Sequence, residues 1–321
     1  MSPLEQAILR TVTWFDLLSY PLTAFECWQY LYQEGESLGS VDPGQTHTAL
    51  LNLQRRGVLR SVSGYWQLAE APNRLEKRLA RARASIAKRK RAQAAARLIS
   101  YLPWVRMVGL VNTTALEAAR PESDIDLFIV LEHGRLFLGR LLITVLVQLR
   151  GWRRYGTKVR NRLCLSFYVT TEHLNLRPLA YADDPYLTFW VSSLSPLFGR
   201  STYQQFLVAN SWVTEHLPNW LGTESPAVIS SLRVAKTPRT IRLVQRWLEV
   251  LGNTAGSGVL ERLARTLELK RIHGHQGSRL GDGTTAVVVS TEVLKFHEND
   301  KRPQLAEAWR RALSVLQTRV L

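Results

Sequence analysis

Cysteine is one of the rarest residues in this chain. Only Cys27 and Cys164 occur among its 321 residues, and they stand far apart in apolar surroundings. This spacing excludes a disulfide framework and the ligand pattern of a zinc finger. We therefore expect two reduced, buried thiols.

Long hydrophobic runs are also missing. The longest apolar stretch, Leu141 to Leu149, is bounded by Arg140 and Arg150 and is far shorter than the roughly 18 residues that cross a bilayer. The first residues carry an acid before their apolar side chains and lack the basic start and cleavage site of a signal peptide. The sequence predicts a cytoplasmic protein without a transmembrane segment.

Acidic residues are fewer than basic ones in this chain. Lys and Arg number 42 against 26 Asp and Glu, so the formal net charge is +16. Such a surface attracts polyanions, and charge alone does not choose among nucleic acid, nucleotides and anionic lipid. The hydrophobic content of 45% is that of a folded protein, and the length is enough for two domains.

Residues 1–71 predict a winged-helix-like domain. Three helical segments precede an alternating stretch around Ser63 and Gly64 that predicts a hairpin. Side chains of the third helix could reach DNA, but its apolar packing positions and modest charge favour a docking or spacer module. The candidate DNA contacts are Gln45, His47, Asn52, Arg55 and Arg56.

Residues 72–100 predict one basic connecting helix, because the segment is rich in Ala and Arg and has no glycine or internal proline. It carries the densest positive charge of the chain. Two interpretations stay open: the helix lies along a polyanion, or it is a solvated connector between domains.

The remaining sequence predicts a mixed α and β architecture. In residues 101–182, three strands (104–111, 123–130 and 162–170) alternate with helices at 113–119 and 137–149. Residues 183–321 predict a mostly helical region, with two helices in 236–272, a short β segment near 284–297 and a final helix from about Pro303.

Two aspartates carry the clearest chemical signal. On a strand, alternate side chains point the same way, so Asp124 and Asp126 are expected to share one face while Ile125 and Leu127 enter the core. Mg²⁺ binds one or two carboxylates together with substrate phosphates and water. The pair is therefore a candidate metal site and catalytic site, although an exposed D-x-D at a strand edge is also a common surface feature.

The surroundings of the pair carry a resemblance. A strand, a short helix and the S-D-I-D strand resemble the signature of the DNA-polymerase-β-like nucleotidyltransferase superfamily. More closely, the chain resembles a bacterial family of nucleotidyltransferase-domain proteins that join such a domain to a winged helix. The matching segments are Tyr20 to Thr23, Ser123 to Ile129, Gly134 to Leu142, Cys164 to Phe167 and Leu294 to Asp300.

The resemblance implies a polymerase-β-like domain with a mixed sheet and an Mg²⁺-dependent reaction. That reaction would transfer a nucleoside monophosphate from a nucleoside triphosphate to an acceptor that the sequence does not name. Nucleotide contacts are expected from Asn112, Thr113, Ser123 and Arg135. Lys295 and His297 match the late motif of the family and receive no role.

The chain departs from the family pattern at two places. Asn112-Thr113 stands where Gly-Ser opens the helix, and Thr114 with Glu117 could instead form a capping box that needs no ligand. The third carboxylate is also missing: Ser166 occupies its expected position, and Glu172 is a weak substitute. Two hypotheses follow, an active transferase and a catalytically degenerate nucleotide- or nucleic-acid-binding protein.

Overall fold

The fold was analysed in a computed structural model of the chain. The structure describes residues 1–35, 38–39, 41–181, 184–220, 234–252, 257–276, 285–296 and 300–320. Within these ranges it contains eleven α-helices, a three-stranded sheet and a six-stranded mixed sheet. The predicted combination of α and β structure with a mixed sheet is confirmed.

The N-terminal helices begin where the sequence places capping residues. Ser2, Thr23 and Asp42 each accept a hydrogen bond from a backbone amide of the helix that follows, and each forms a reciprocal capping box. A short sheet in the order β1-β3-β2 closes this region. Its elements are α1 (Pro3–Leu17), β1 (Leu22–Thr23), α2 (Ala24–Gln29), α3 (Pro43–Arg55), β2 (Leu59–Val62) and β3 (Tyr65–Leu68).

The basic segment is a single helix, α4 (Leu75–Ile99), as the lack of helix breakers predicts. Many of its cations are used inside the protein, since Arg78 and Lys88 are buried and Arg74 pairs with Asp16. Four basic side chains of the helix are exposed, namely Lys77, Arg83, Lys90 and Arg97. The helix is therefore a packed element with a partly basic outer face.

The larger sheet has the strand order β7-β4-β5-β6-β9-β8. Neighbouring strands are antiparallel except for β5 and β6, which run parallel. This pairing places the start of β5 beside the end of β4 and the start of β6. The strands are β4 (Val105–Leu110), β5 (Ile125–Leu131), β6 (Leu163–Thr170), β7 (Ser195–Phe198), β8 (Val287–Val289) and β9 (Val293–Phe296).

Seven further helices complete the described fold. The two helices predicted in 236–272 and the final helix are present. The mostly helical region predicted for 183–321 also contains strand β7, which was not predicted; it lies between two helices and pairs with β4. The helices are α5 (Asn112–Ala115), α6 (Leu136–Leu149), α7 (Pro185–Ser193), α8 (Arg200–Ala209), α9 (Arg239–Gly252), α10 (Ser257–Gln276) and α11 (Arg302–Val320).

Buried side chains form two clusters, one on each face of the six-stranded sheet. The first cluster continues from the sheet into the N-terminal region, where Trp14 packs against Phe189 and Trp309. The N-terminal helices and α11 therefore share one core. Within the described residues, no helix has the length and apolar character needed to cross a membrane.

Candidate functional site

Asp124 and Asp126 lie at the start of β5, the strand between β4 and β6. Ile125 and Leu127 between and after them are buried, whereas both aspartates are partly exposed. The predicted alternation is therefore present. The carboxylate oxygens of the pair and the sulfur of Cys164 lie within 4.8 Å of one another.

The backbone of both neighbouring strands holds this position in place. The Val111 amide donates to the carbonyl of Asp126 at 3.3 Å, and the Ile125 amide donates to the carbonyl of Arg162 at 2.8 Å. In the parallel register, Asp126 lies opposite Cys164. The end of β4 and the start of β6 therefore both deliver side chains to the pair.

Asn112 takes the position where the family pattern has glycine. Its φ is +56°, a left-handed conformation that asparagine tolerates better than most residues. Its side chain interacts with the Asp126 carboxyl and lowers the pKa of that group, and its Oδ1 accepts from the Tyr186 hydroxyl at 3.2 Å. Asparagine thus satisfies the backbone requirement and fills the space that glycine would leave. The role of Tyr186 was not predicted from the sequence.

Arg154 pairs with one of the two aspartates. Its Nη1 lies 2.6 Å from Asp124 Oδ2 and 3.9 Å from Cys164 Sγ. The arginine side chain is 48% exposed and the aspartate 15%, so the guanidinium covers the pair from the solvent side. No sequence motif had singled out Arg154, because it lies in an irregular segment between α6 and β6.

Cys164 is the third member of the site. It is only half-buried, so the expectation of a buried thiol in apolar surroundings was wrong for this residue; Cys27 is buried as predicted. Partial removal of the sulfur from water, and then the charge of Asp126, raise the pKa of the Cys164 thiol to about 12. The neutral thiol donates to Ser166 Oγ at 3.4 Å.

The third carboxylate is not found around the pair within the described residues, where the cluster of ligand atoms contains only Asp124, Asp126 and Cys164. Glu172 follows the far end of β6, about 26 Å along the strand from Cys164 at roughly 3.3 Å per residue. It was therefore wrong to consider Glu172 a substitute. Cys164, two residues before the expected Ser166, lies beside the pair instead.

The two aspartates have different environments. Burial and the neighbouring charge of Asp124 raise the pKa of Asp126 to about 6, while interactions with the side chains of Asn112 and Cys164 oppose the increase. Asp124 instead forms an ion pair with Arg154. Two close carboxylates without a cation ionise less readily than one alone, so the pair is set up to gain from a bound divalent ion.

Lys88 of α4 supports the segment that leads into β5. Its ammonium donates to the carbonyl oxygen of Ser123 at 2.6 Å, to that of Pro121 at 3.3 Å and to Asn161 Oδ1 at 2.8 Å. The side chain is almost fully buried, at 1% exposure. This lysine supports the approach to Asp124, a role that neither interpretation of the basic segment included.

The other three predicted nucleotide contacts lie at different distances from the aspartate pair. Thr113 is exposed at the start of α5, beside Asn112. Ser123 adjoins Asp124, but its hydroxyl donates to the Arg120 carbonyl at 3.0 Å. Arg135 follows the opposite end of β5, where its Nη2 donates to the Gly252 carbonyl at 2.9 Å. The structure therefore does not bring Arg135 to the aspartate pair, because the whole strand separates them.

Thr114 and Glu117 do not form the capping box that was the alternative to a nucleotide contact. The helix begins at Asn112 and ends at Ala115, without a side-chain cap, so Thr114 lies inside it and Glu117 beyond it. Glu117 has a φ of +56°, and its carbonyl accepts from Arg78 at 3.3 Å. A side chain of α4 therefore bonds the backbone of this turn. His297 lies outside the described residues.

No protein-family model, curated protein or solved structure matches this chain. The chemistry of the site must therefore be judged from its donor atoms. Two carboxylates are the hard oxygen ligands that Mg²⁺ prefers, whereas a neutral thiol is a poor ligand for that ion. The aspartate pair fits Mg²⁺, and Cys164 does not add to the fit.

Proposed function

We propose that this chain is a nucleotidyltransferase-type protein that transfers a nucleoside monophosphate from a nucleoside triphosphate to an acceptor. The observation that carries the proposal is the pair of partly exposed carboxylates, Asp124 and Asp126, at the start of a central strand. Both would hold Mg²⁺. The ion would neutralise the triphosphate and assist departure of pyrophosphate.

The residues around the pair have distinct parts in this proposal. Asn112 favours the ionised form of Asp126, because its side chain lowers the pKa of that carboxyl. Arg154, which pairs with Asp124, would be displaced by a bound divalent ion, and its guanidinium would then be available to the phosphates. Thr113 offers an exposed hydroxyl at the start of α5. Lys88 keeps the segment before Asp124 in one conformation.

The finer architecture belongs to the same proposal. The order of α1 to α3 and the sheet β1-β3-β2 support a winged helix at 1–71. Strands β4, β5 and β6 support a polymerase-β-like core at 101–182. Exposed Arg83, Lys90 and Arg97 recur every seven residues along α4, which supports a nucleic-acid contact on that face. A cytoplasmic location, where nucleoside triphosphates are available, completes the proposal.

A second candidate function is nucleotide binding without transfer. It is favoured by Cys164, which stands beside the pair where a third carboxylate would activate the acceptor. Binding a magnesium nucleotide requires fewer groups than turning it over. The degenerate protein would then sense a nucleotide or hold nucleic acid.

One experiment separates the candidates. The full chain is titrated by calorimetry with each nucleoside triphosphate in Mg²⁺, and pyrophosphate release is then measured with a panel of acceptors. Asp126→Ala should abolish both signals while preserving the fold, and Glu172→Ala, at the far end of β6, should preserve them. Release indicates transfer, and binding without release indicates the second function. Absence of nucleotide binding contradicts transfer and nucleotide sensing alike.

A further inference from the structure

Helix α9 docks on the protein through its polar side. Gln245 Nε2 donates to the carbonyl oxygens of Ser100 at 2.7 Å and Leu102 at 2.9 Å. Glu249 accepts from the Trp104 amide at 2.7 Å and pairs with Arg106 at 2.8 Å. Residues 245 and 249 are one turn apart and therefore lie on one face of the helix.

The opposite side of α9 is apolar and faces solvent. Its large hydrophobic side chains are between 46% and 69% exposed, and Trp247 is the most exposed of them. No residue of this helix is buried. The orientation is the reverse of that of an ordinary surface helix, whose apolar stripe faces the core. These side chains are Leu243, Val244, Trp247, Leu248, Val250 and Leu251.

Helix α10 repeats the arrangement. Glu261 accepts from the amides of Phe137 at 2.9 Å and Leu138 at 3.0 Å, and the buried Glu268 pairs with Arg140. Apolar side chains of the same helix are 46% to 61% exposed. They are Val259, Leu260, Leu263 and Leu267. Neighbouring apolar side chains that are exposed together are typical of interaction sites.

The charges on the two helices indicate what covers these faces. The acids Glu249, Glu261 and Glu268 are all bonded to the protein. The exposed charged side chains are all basic, namely Arg239, Arg242, Arg246, Arg262, Arg265, Lys270 and Arg271. A second copy would present the same cations and be repelled, whereas an anionic surface attracts them.

We propose that α9 and α10 dock this protein on the surface of an anionic lipid bilayer. The apolar side chains would enter the boundary between headgroups and acyl chains, and the flanking arginines would contact anionic headgroups. Trp247 is suited to that boundary, because its ring is amphipathic. The helices would lie in the plane of the membrane. This inference does not depend on the aspartate pair.

The test is flotation of the full chain with vesicles of phosphatidylcholine alone and vesicles with equal amounts of phosphatidylcholine and phosphatidylglycerol. We expect the chain to bind the anionic vesicles and not the neutral ones. The double variant Val244→Ser, Trp247→Ser should reduce binding at least tenfold, from the lost apolar burial. Arg246→Gln, which removes an exposed cation beside the apolar face, should reduce it roughly fivefold.

Val208→Ser is the matched control. Val208 is 71% exposed on α8, so the change removes an exposed apolar side chain outside α9 and α10, and binding should be unaffected. Circular dichroism checks the fold of each variant, and light scattering follows the oligomeric state. The proposal is overturned if the chain does not bind anionic vesicles or if the double variant binds them as tightly as wild type. It is also overturned if the apolar side chains of α9 and α10 form a dimer interface instead.

Discussion

The guanidinium of Arg154 lies 2.6 Å from the carboxylate of Asp124, on the solvent side of the aspartate pair. A divalent cation and this arginine would therefore compete for the same oxygen atoms. The arginine is about half exposed, and exposed ion pairs contribute little, roughly 0.2–1 kcal/mol. A doubly charged ion can displace such a partner, so the ion pair is compatible with metal binding.

Replacing the arginine tests this competition. Arg154→Ala should increase the Mg²⁺ affinity of the nucleotide-free protein by up to about fivefold, because the cost of breaking an exposed ion pair disappears. Calorimetric titration measures the change. Arg177→Ala is the control, since it removes an exposed ion pair with Glu215 on other elements. A weaker Mg²⁺ affinity in Arg154→Ala would mean that the arginine orients Asp124 instead.

Neutralising Asp126 should stabilise the metal-free protein. Asp126→Asn removes a carboxylate whose pKa is raised to about 6 by burial and by Asp124. The free energy of unfolding at pH 7, measured with urea in chelator, should increase by on the order of 1–3 kcal/mol. The free energy of unfolding of Asp124→Asn should not increase in the same way, because this variant also loses the ion pair with Arg154. A destabilised Asp126→Asn protein would refute the electrostatic account.

The stability difference between wild type and Asp126→Asn should depend on pH. The folded-state pKa of about 6 lies above the ordinary value of 3.8, so the folded protein holds this proton more tightly than the unfolded chain. The stability that Asp126 contributes to wild type is therefore lost as the pH rises from about 4 to about 6. The difference in free energy of unfolding between wild type and Asp126→Asn is constant above that range. Urea unfolding at a series of pH values measures it. A difference that does not change over this range would disagree with a raised Asp126 pKa.

A carboxylate in place of Cys164 should make stability depend on metal. In Cys164→Asp, three acids crowd within the 4.8 Å cluster, and their repulsion should lower the free energy of unfolding by roughly 2–4 kcal/mol in chelator. Added Mg²⁺ should recover most of the loss. The stability of Cys164→Ser should be nearly the same in chelator and in Mg²⁺. Thermal unfolding with chelator and with Mg²⁺ compares them, and equal melting temperatures for Cys164→Asp in the two conditions would argue against a cation site.

Lys88 should be important for stability despite lying in a surface-like basic segment. Lys88→Met leaves the carbonyl of Ser123 and the amide oxygen of Asn161 without their donor, which should cost about 1–3 kcal/mol. Lys90→Met changes an exposed lysine of the same helix and should stay within about 0.5 kcal/mol. Denaturant unfolding provides the comparison. Equal effects would show that the buried contacts of Lys88 contribute nothing.

Much of the secondary structure was predictable because its signals are local. The capping residues Ser2, Thr23 and Asp42 precede their helices by one position, and the uninterrupted Ala- and Arg-rich segment forms α4. Predictions failed where a distant contact decides the conformation. The turn at Glu117 is bonded by Arg78 from α4, and β7 forms because β4 offers it an edge.

The candidate site divides in the same way. The shared face of Asp124 and Asp126 follows from the two-residue period of a strand. The neighbours of the pair do not follow from any local pattern: Cys164 reaches Asp126 through the parallel register of β5 and β6, and Tyr186 reaches Asn112 from α7. Arg135 illustrates the converse, since it is near Asp126 in sequence but lies beyond the other end of the strand.

By itself, the sequence determined the periodic features of this protein: most of the helices, including the two in 236–272, and the alternation along β5. Only the tertiary structure decided which groups meet. Strand order and register set the contacts of Asp126. The polar side of α9 faces the protein because Gln245 on that side donates to the carbonyl oxygens of Ser100 and Leu102. The reason is physical, because periodicity specifies which side chains share a face, whereas the partner of that face depends on residues far away in the chain.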